Sequence, residues 1–202
     1  MANFAHNLPR VLRDLSALFR YPVWLANSKP TPDNHVYKVR RIIALARKYQ
    51  CLTLIETGTF YGQTVAAARK HFQRVLSVEL HAPLFEFNQR QFRNSRNVKM
   101  YFGSSEEMLA SMISEAEGTI LFWLDGHFSG DGTALGDKVS PIIKELEIIR
   151  KAGRSQDVIL IDDVRLFDGK DYPTLETANA QLRDINPAYN VTIDGDCLIA
   201  TP

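Results

Sequence analysis

The stretch Leu52-Thr53-Leu54-Ile55-Glu56-Thr57-Gly58-Thr59-Phe60-Tyr61-Gly62-Gln63-Thr64 decides how this chain reads. It opens as an apolar run, passes through Glu56 into two glycines four residues apart, and then turns helical in pattern. A buried parallel strand, a tight turn and a helix whose free N–H groups face that turn are written in this way.

Downstream, strand and helix alternate. Strands are expected at Leu52–Glu56, Arg74–Glu79, Val98–Phe102, Ile120–Asp125 and Val158–Asp162. Helices are expected over about Gly62–His71, Pro83–Phe92, Ser105–Ile113, Pro141–Lys151 and Leu175–Leu182. Five such units predict a parallel sheet with helices on both faces. The end differs: Tyr189–Ile193, then Asp194-Gly195-Asp196, then Cys197–Ala200 read as an antiparallel hairpin around an Asp-Gly turn. The fold expected is therefore Rossmann-like: doubly wound, mostly parallel, seven-stranded, with helices added at the N-terminus.

Upstream, Phe4, Leu8, Val11, Leu12, Leu15, Leu18 and Phe19 recur at helical spacing with Arg10, Arg13, Asp14 and Arg20 between them. That amphipathic helix can cover the core, pair with a second copy of the chain, or lie on a membrane. Tyr21-Pro22 is expected to end it, ahead of a loop over Asn27–Asp33. A second helix follows over about Val36–Tyr49. Residues 1–50 read as a helical extension, a cap or an oligomerisation element, and residues 51–202 as the main domain. The extension holds nine Lys or Arg against two acidic residues. Such a basic leader can meet a phosphate, a membrane surface or an acidic patch, or can simply be solvated.

A chain of 202 residues, 45% hydrophobic and 23% charged, is long enough for one core without disulfides or metals. Its net charge of +1 gives no reason to expect nucleic acid. Cys51 and Cys197 stand in no zinc-like spacing. No stretch approaches a membrane span, and Arg10, Arg13 and Asp14 interrupt any signal-like core, so a cytoplasmic location is expected.

Ligands of open α/β sheets bind at the C-terminal strand tips. Four features fall there: Glu56 with Gly58 and Gly62, Glu79, the run Gly103-Ser104-Ser105-Glu106, and Asp125. Glycines let a ligand approach the backbone. A carboxylate 21 residues after Gly58 can accept both hydroxyls of a ribose. The run after strand three is placed to border an adenine. Together they predict a nucleoside cofactor. The first turn is not GxGxxG, which disfavours a dinucleotide.

The run Ile55–Thr64 resembles motif I of class I S-adenosylmethionine-dependent methyltransferases. It is most similar to the metal-dependent catechol and caffeoyl-CoA type, with its E-x-G-x-[YF]-x-G-x-S/T pattern. Ser77–Leu80, Gly103–Glu106, Trp123-Leu124-Asp125-Gly126-His127 and Leu160–Val164 continue that order of motifs over residues 50–202. The resemblance implies that Glu56 and Thr64 contact the methionine portion of S-adenosylmethionine and that Glu79 holds the ribose. It implies further that Ser105 and Glu106 flank the adenine, with Thr59, Leu80, Ser104 and Asp125 also lining the cofactor.

Asp125, Asp162 and Asp163 end neighbouring strands, and crowded carboxylates call for a hard divalent cation such as Mg²⁺. The catechol type uses Asp, Asp and Asn at these positions, and the macrocin-type sugar O-methyltransferases have an acidic pair at the last two. Alternatively, Asp162 or Asp163 caps a loop or pairs with Arg165. The resembling enzymes carry a lysine base three residues after the strand-four aspartate; here that residue is Phe128. His127 is the nearest titratable group, as base, metal ligand or partner of Asp125. The glycine-containing segment 128–137 reads as a lid or a connector. Arg165, Asp168 and Lys170 can line an acceptor pocket, although solvated loop charges are the simpler expectation. Trp123 is expected in the core.

The expected function is O-methylation of a hydroxylated small molecule, sugar or phenol-like, by an enzyme able to form a homodimer through its first helix. A metal-free N- or O-methyltransferase using His127, and a catalytically silent cofactor-binding module, remain the alternatives.

Overall fold

The computed structural model describes residues 10–126 and 140–202. Phe4, Leu8, His127 and the segment 128–137, which figure in the sequence reading, lie outside the described residues.

Two helices, α1 (Arg10–Ala26) and α2 (His35–Lys48), precede the sheet. Then come β1 (Thr53–Thr57), α3 (Gln63–Ala68), β2 (Arg74–Glu79), α4 (Ala82–Phe92), β3 (Val98–Phe102), α5 (Ser105–Glu115) and β4 (Ile120–Leu124). They are followed by α6 (Ile142–Lys151), β5 (Val158–Ile161), a 3₁₀ turn over Val164–Leu166, α7 (Leu175–Ile185), β6 (Asn190–Asp194) and β7 (Cys197–Thr201). The seven strands lie in the order β3-β2-β1-β4-β5-β7-β6. β1 to β5 pair in parallel, and β7 runs antiparallel to both β5 and β6. The expected doubly wound sheet and its terminal hairpin are both present.

Strand periodicity divides the core. In β4, Ile120, Phe122 and Leu124 face the side covered by α5, α6 and α7, while Leu121 and Trp123 face the side of α2, α3 and α4. β1, β4, β5 and β7 are buried along their whole length, as strands covered on both faces must be. Trp123 is a core residue, as expected. The edge strands β3 and β6 are the partly exposed ones.

The hairpin turn sits one residue later than Asp194-Gly195 suggested. Asp194 still pairs with Cys197, so Gly195 and Asp196 are the two central residues. Gly195 has φ +60° at the first of them, where a type II′ turn takes glycine.

The first helix corrects the sequence reading. It does not stop at Tyr21-Pro22 but runs through Pro22 to Ala26. Proline removes one helical hydrogen bond, and tertiary anchors outweigh that loss here. Trp24 is buried, stacks on Tyr21, meets the Tyr37 ring at a tilt, and donates from Nε1 to Pro30 O at 2.7 Å. Asn34 Nδ2 donates to Ala17 O at 3.1 Å, one turn before the proline. Leu12, Leu15, Leu18, Phe19 and Val23 remain exposed along this helix. No helix among the described residues is long and apolar enough to cross a membrane.

The second helix belongs to the core. Ile42 and Ala46 pack with Leu54, Trp123 and Leu160. Arg41, also buried, ties α2 to the hairpin: Nη2 donates to Asp33 Oδ2 at 2.5 Å and to Asp194 O at 2.7 Å, and Nε to Asp194 Oδ2 at 3.0 Å. Part of the basic charge of the first fifty residues thus points inward.

Candidate active site

The strand order reverses between β1 and β4, and a ligand crevice opens at the C-terminal ends of strands where such a reversal occurs. The backbone there is close-set. Asp125 N donates to Thr57 O at 3.1 Å, and Asp162 N to Leu124 O at 3.1 Å, so the tips of β1, β4 and β5 stand side by side.

The turn after β1 holds three left-handed residues: Gly58 (φ +83°), Phe60 (+51°) and Gly62 (+70°). A Cβ on Gly58 would lie 2.5 Å from Asp125 O, and one on Gly62 would strike Asn88 and Phe92. These glycines are required first by the protein's own packing. The helix beyond the turn, α3, is only six residues long.

Beneath the turn, Glu56 is buried and accepts from Ser77 Oγ at 2.6 Å. Ser77 Oγ also lies 2.6 Å from Thr59 Oγ1, and Thr64 hydrogen-bonds the same carboxyl. Ser77, a residue with no role in the sequence reading, therefore joins Glu56 to Thr59, while Thr64 meets Glu56 directly. Burial, with Asp125 nearby, pushes the Glu56 carboxyl up to about 8. A carboxyl raised from 4.5 binds its proton more tightly in the folded state, so this group makes stability fall as pH rises through the interval up to about 8. Glu56→Gln removes that dependence. Its unfolding midpoint relative to the native chain, measured without ligand, should climb between pH 5 and pH 8. An unchanged gap would mean that Glu56 is ionised throughout.

Glu79 ends β2 and is 6% exposed. Phe60 N donates to its Oε2 at 2.8 Å and His81 N to its Oε1 at 2.9 Å. Burial raises its pKa, against the pull of those two donors. The left-handed Phe60 is what turns its N–H onto this carboxylate. Leu80 follows, half-buried. Beyond β3, Ser104 caps α5 by accepting from Glu107 N at 3.3 Å, Ser105 is buried and Glu106 is exposed in the first turn.

The structure brings the three aspartates together. Asp125, Asp162 and Asp163 each offer an oxygen within 4.8 Å of the others. Asp163 adopts φ +59°, a conformation aspartate tolerates better than most residues.

Two cations meet the cluster. Lys38 Nζ of α2 donates to Asp162 Oδ2, lies 3.8 Å from Asp163 Oδ1 and stands 6.0 Å from the centre of the Trp123 ring system. Arg165 Nη1 bonds Asp163 Oδ1 at 2.5 Å and also Asp196 Oδ2. Arg165 is thus an ion-paired part of the site and not a solvated loop charge. The expected alternative in which Asp163 pairs with Arg165 is what the geometry contains. Asp168 is exposed and accepts from Lys170 N at 2.9 Å within its own loop.

Burial, with Asp125 beside it, lifts the Asp162 carboxyl, and Lys38 opposes the lift. For Lys38, burial lowers the ammonium's pKa, but Asp162, Asp125 and Asp163 outweigh it and the net shift is upward. Even with Lys38 attached, Asp162 Oδ1 is buried without a hydrogen-bond partner among the described residues. An all-oxygen donor set with one unsatisfied carboxylate oxygen suits a hard divalent cation.

Lys38 was not legible as a site residue. The available signal was its spacing: it precedes Ile42 and Ala46 by four and eight residues, on the inward face of α2. A cleft of about 570 Å³ is lined by Ser140, Lys144, Lys170, Tyr172, Thr174 and Thr177 among others. Burial, then Asp163, pushes the Tyr172 phenol up to about 12.

No protein-family model matches the chain, and no curated protein sequence matches it. Solved structures do match in fold. An S-adenosylhomocysteine-bound methyltransferase of Podospora anserina is 15% identical with a TM-score of 0.58, over 96% of this chain and 87% of that one. The O-methyltransferase of Bacillus cereus, solved with S-adenosylhomocysteine, is 13% identical with a TM-score of 0.56, over 92% and 90%. TomG of Streptomyces achromogenes, an O-methyltransferase of tomaymycin synthesis solved with S-adenosylmethionine, is 15% identical with a TM-score of 0.56, over 88% and 85%. The chain has the Rossmann-like methyltransferase fold.

Proposed function

We propose that this protein is an S-adenosylmethionine-dependent O-methyltransferase acting on a hydroxyl of a small molecule, a sugar or a phenol-like compound, with the assistance of Mg²⁺. The observation that carries this reading is the convergence of Glu56, Glu79 and the three aspartates on adjacent strand tips of a sheet with this order.

Glu79, fixed by two backbone donors, would hold the ribose hydroxyls. Glu56 and Thr64 would hold the methionine end, with Thr59 anchored to the same network through Ser77. Ser105 and Glu106 would border the adenine, with Leu80 and Ser104 beside them. Asp125, Asp162 and Asp163 would hold the cation next to the acceptor. When bound, the sulfonium supplies an electrophilic methyl group and the cation a Lewis acid that lowers the acceptor hydroxyl's pKa. His127 takes the acceptor's proton at an imidazole nitrogen.

The test is transfer of labelled methyl from S-adenosylmethionine to a panel of sugars and phenols. Transfer that stops with a chelator and returns with Mg²⁺ is expected. The ion pair of Lys38 with Asp162 favours, as a second reading, a metal-free transferase using His127; chelator-insensitive transfer would select it. The exposed apolar stripe of α1 supports a homodimer, which sedimentation equilibrium would report. Two free, buried cysteines are in keeping with a reducing, cytoplasmic setting.

A further inference from the structure

We propose that Lys38 is a resident cation of the acidic cluster, one that a divalent ion must displace from Asp162, so that this lysine sets how tightly the site takes metal. The proposal rests on the metal-assisted reading above.

Three observations lead to it. Lys38 Nζ is bonded to Asp162 Oδ2 and reaches Asp163 Oδ1 at 3.8 Å, so it occupies space between two of the three carboxylates. Its side chain is 17% exposed and that of Asp162 0%, so the pair is shielded from water and from salt. The other oxygen of Asp162 has no hydrogen-bond partner among the described residues. One carboxylate thus has one oxygen held by the chain's own cation and one left over for another.

Breaking a buried ion pair by removing one partner leaves an uncompensated charge, which is why Asp162 cannot simply stand alone in the ligand-free protein. The lysine makes the metal-free cluster tolerable. It also makes metal binding an exchange, because a hard cation that takes the other oxygen of Asp162 sets a second positive charge against the ammonium and drives it off the same carboxylate. Lysine suits such a place. Its four-carbon stem lets the ammonium swing aside, whereas the planar fork of arginine is made to stay. Arg165, which clamps Asp163 to Asp196, is the fixed counterpart. The helix that carries Lys38 is itself anchored, through Ile42 in the core and Arg41 on Asp194 of the hairpin, so only the side chain has to move.

Calorimetric titration with Mn²⁺, on the native chain, Lys38→Met and Lys38→Arg, tests this. Lys38→Met should bind Mn²⁺ at least tenfold more tightly than the native chain, and Lys38→Arg no more tightly than native. The Lys38→Met unfolding midpoint should be lower than native without metal and recover with it, since a ligand that binds only the folded state stabilises it. Equal or weaker binding by Lys38→Met, with the native chain still binding, would overturn the proposal and leave the metal-assisted reading standing. Absence of Mn²⁺ binding by all three proteins at millimolar concentration, while S-adenosylhomocysteine still binds, would overturn both. Binding of S-adenosylhomocysteine also certifies that each variant is folded.

Discussion

Glu79→Ala is expected to lower the affinity for S-adenosylhomocysteine about a hundredfold. The carboxylate is 6% exposed and each oxygen already receives one backbone N–H, from Phe60 at 2.8 Å and His81 at 2.9 Å. A ribose diol would therefore meet a carboxylate that loses no side-chain freedom on binding. Hydrogen bonds to a charged group contribute about 1.5–3 kcal/mol each, and two of them at the low end already amount to about a hundredfold. Glu79→Gln keeps one acceptor oxygen and should lose about tenfold. The pair separates ligand contact from loop anchoring. In the alanine variant Phe60 N–H loses its partner, so its unfolding midpoint should also fall, by about 2–4 °C for each kcal/mol lost. Calorimetry showing both variants within threefold of the native chain would remove Glu79 from the cofactor site.

Gly58→Ala should have the largest effect on stability. Its φ of +83° costs a residue with a side chain about 1–2 kcal/mol. The added methyl would also lie 2.5 Å from Asp125 O and 2.9 Å from Gly126 Cα, backbone atoms that move only if β1 and β4 part at their tips. A total of about 3 kcal/mol or more follows, a drop of about 6–12 °C in unfolding midpoint for a chain of this size. The control is Gly153→Ala. Its φ is +67°, but nothing lies within 4 Å of the added Cβ, so it should show the conformational cost alone. Similar drops for the two variants would mean that the contact with Asp125 is not what keeps residue 58 a glycine.

These two positions also mark where sequence and structure part company. The apolar periodicity of β1 to β5 and the Asp-Gly signal of the hairpin placed the sheet, because strand burial and turn chemistry are local. The helix through Pro22 was illegible because its cause is distant: Trp24 reaching Pro30 and Asn34 reaching Ala17 outweigh a local breaker. Glu56, Glu79 and the aspartates could be read from their places at strand ends. Lys38 could not, since its partner lies 124 residues further along the chain. Gly58 was read as making room for a ligand, whereas the nearest atoms to its missing Cβ belong to Asp125 and Gly126, just after β4. Arg165 looked like a loop charge because Asp196, to which it is tied, comes from the hairpin.

The measurement closest to the central claim is calorimetric titration of the native chain with S-adenosylhomocysteine. One molecule should bind per chain, with a dissociation constant in the micromolar range, corresponding to about 8 kcal/mol. No heat of binding at millimolar ligand would contradict the account at its base, whatever the aspartates hold.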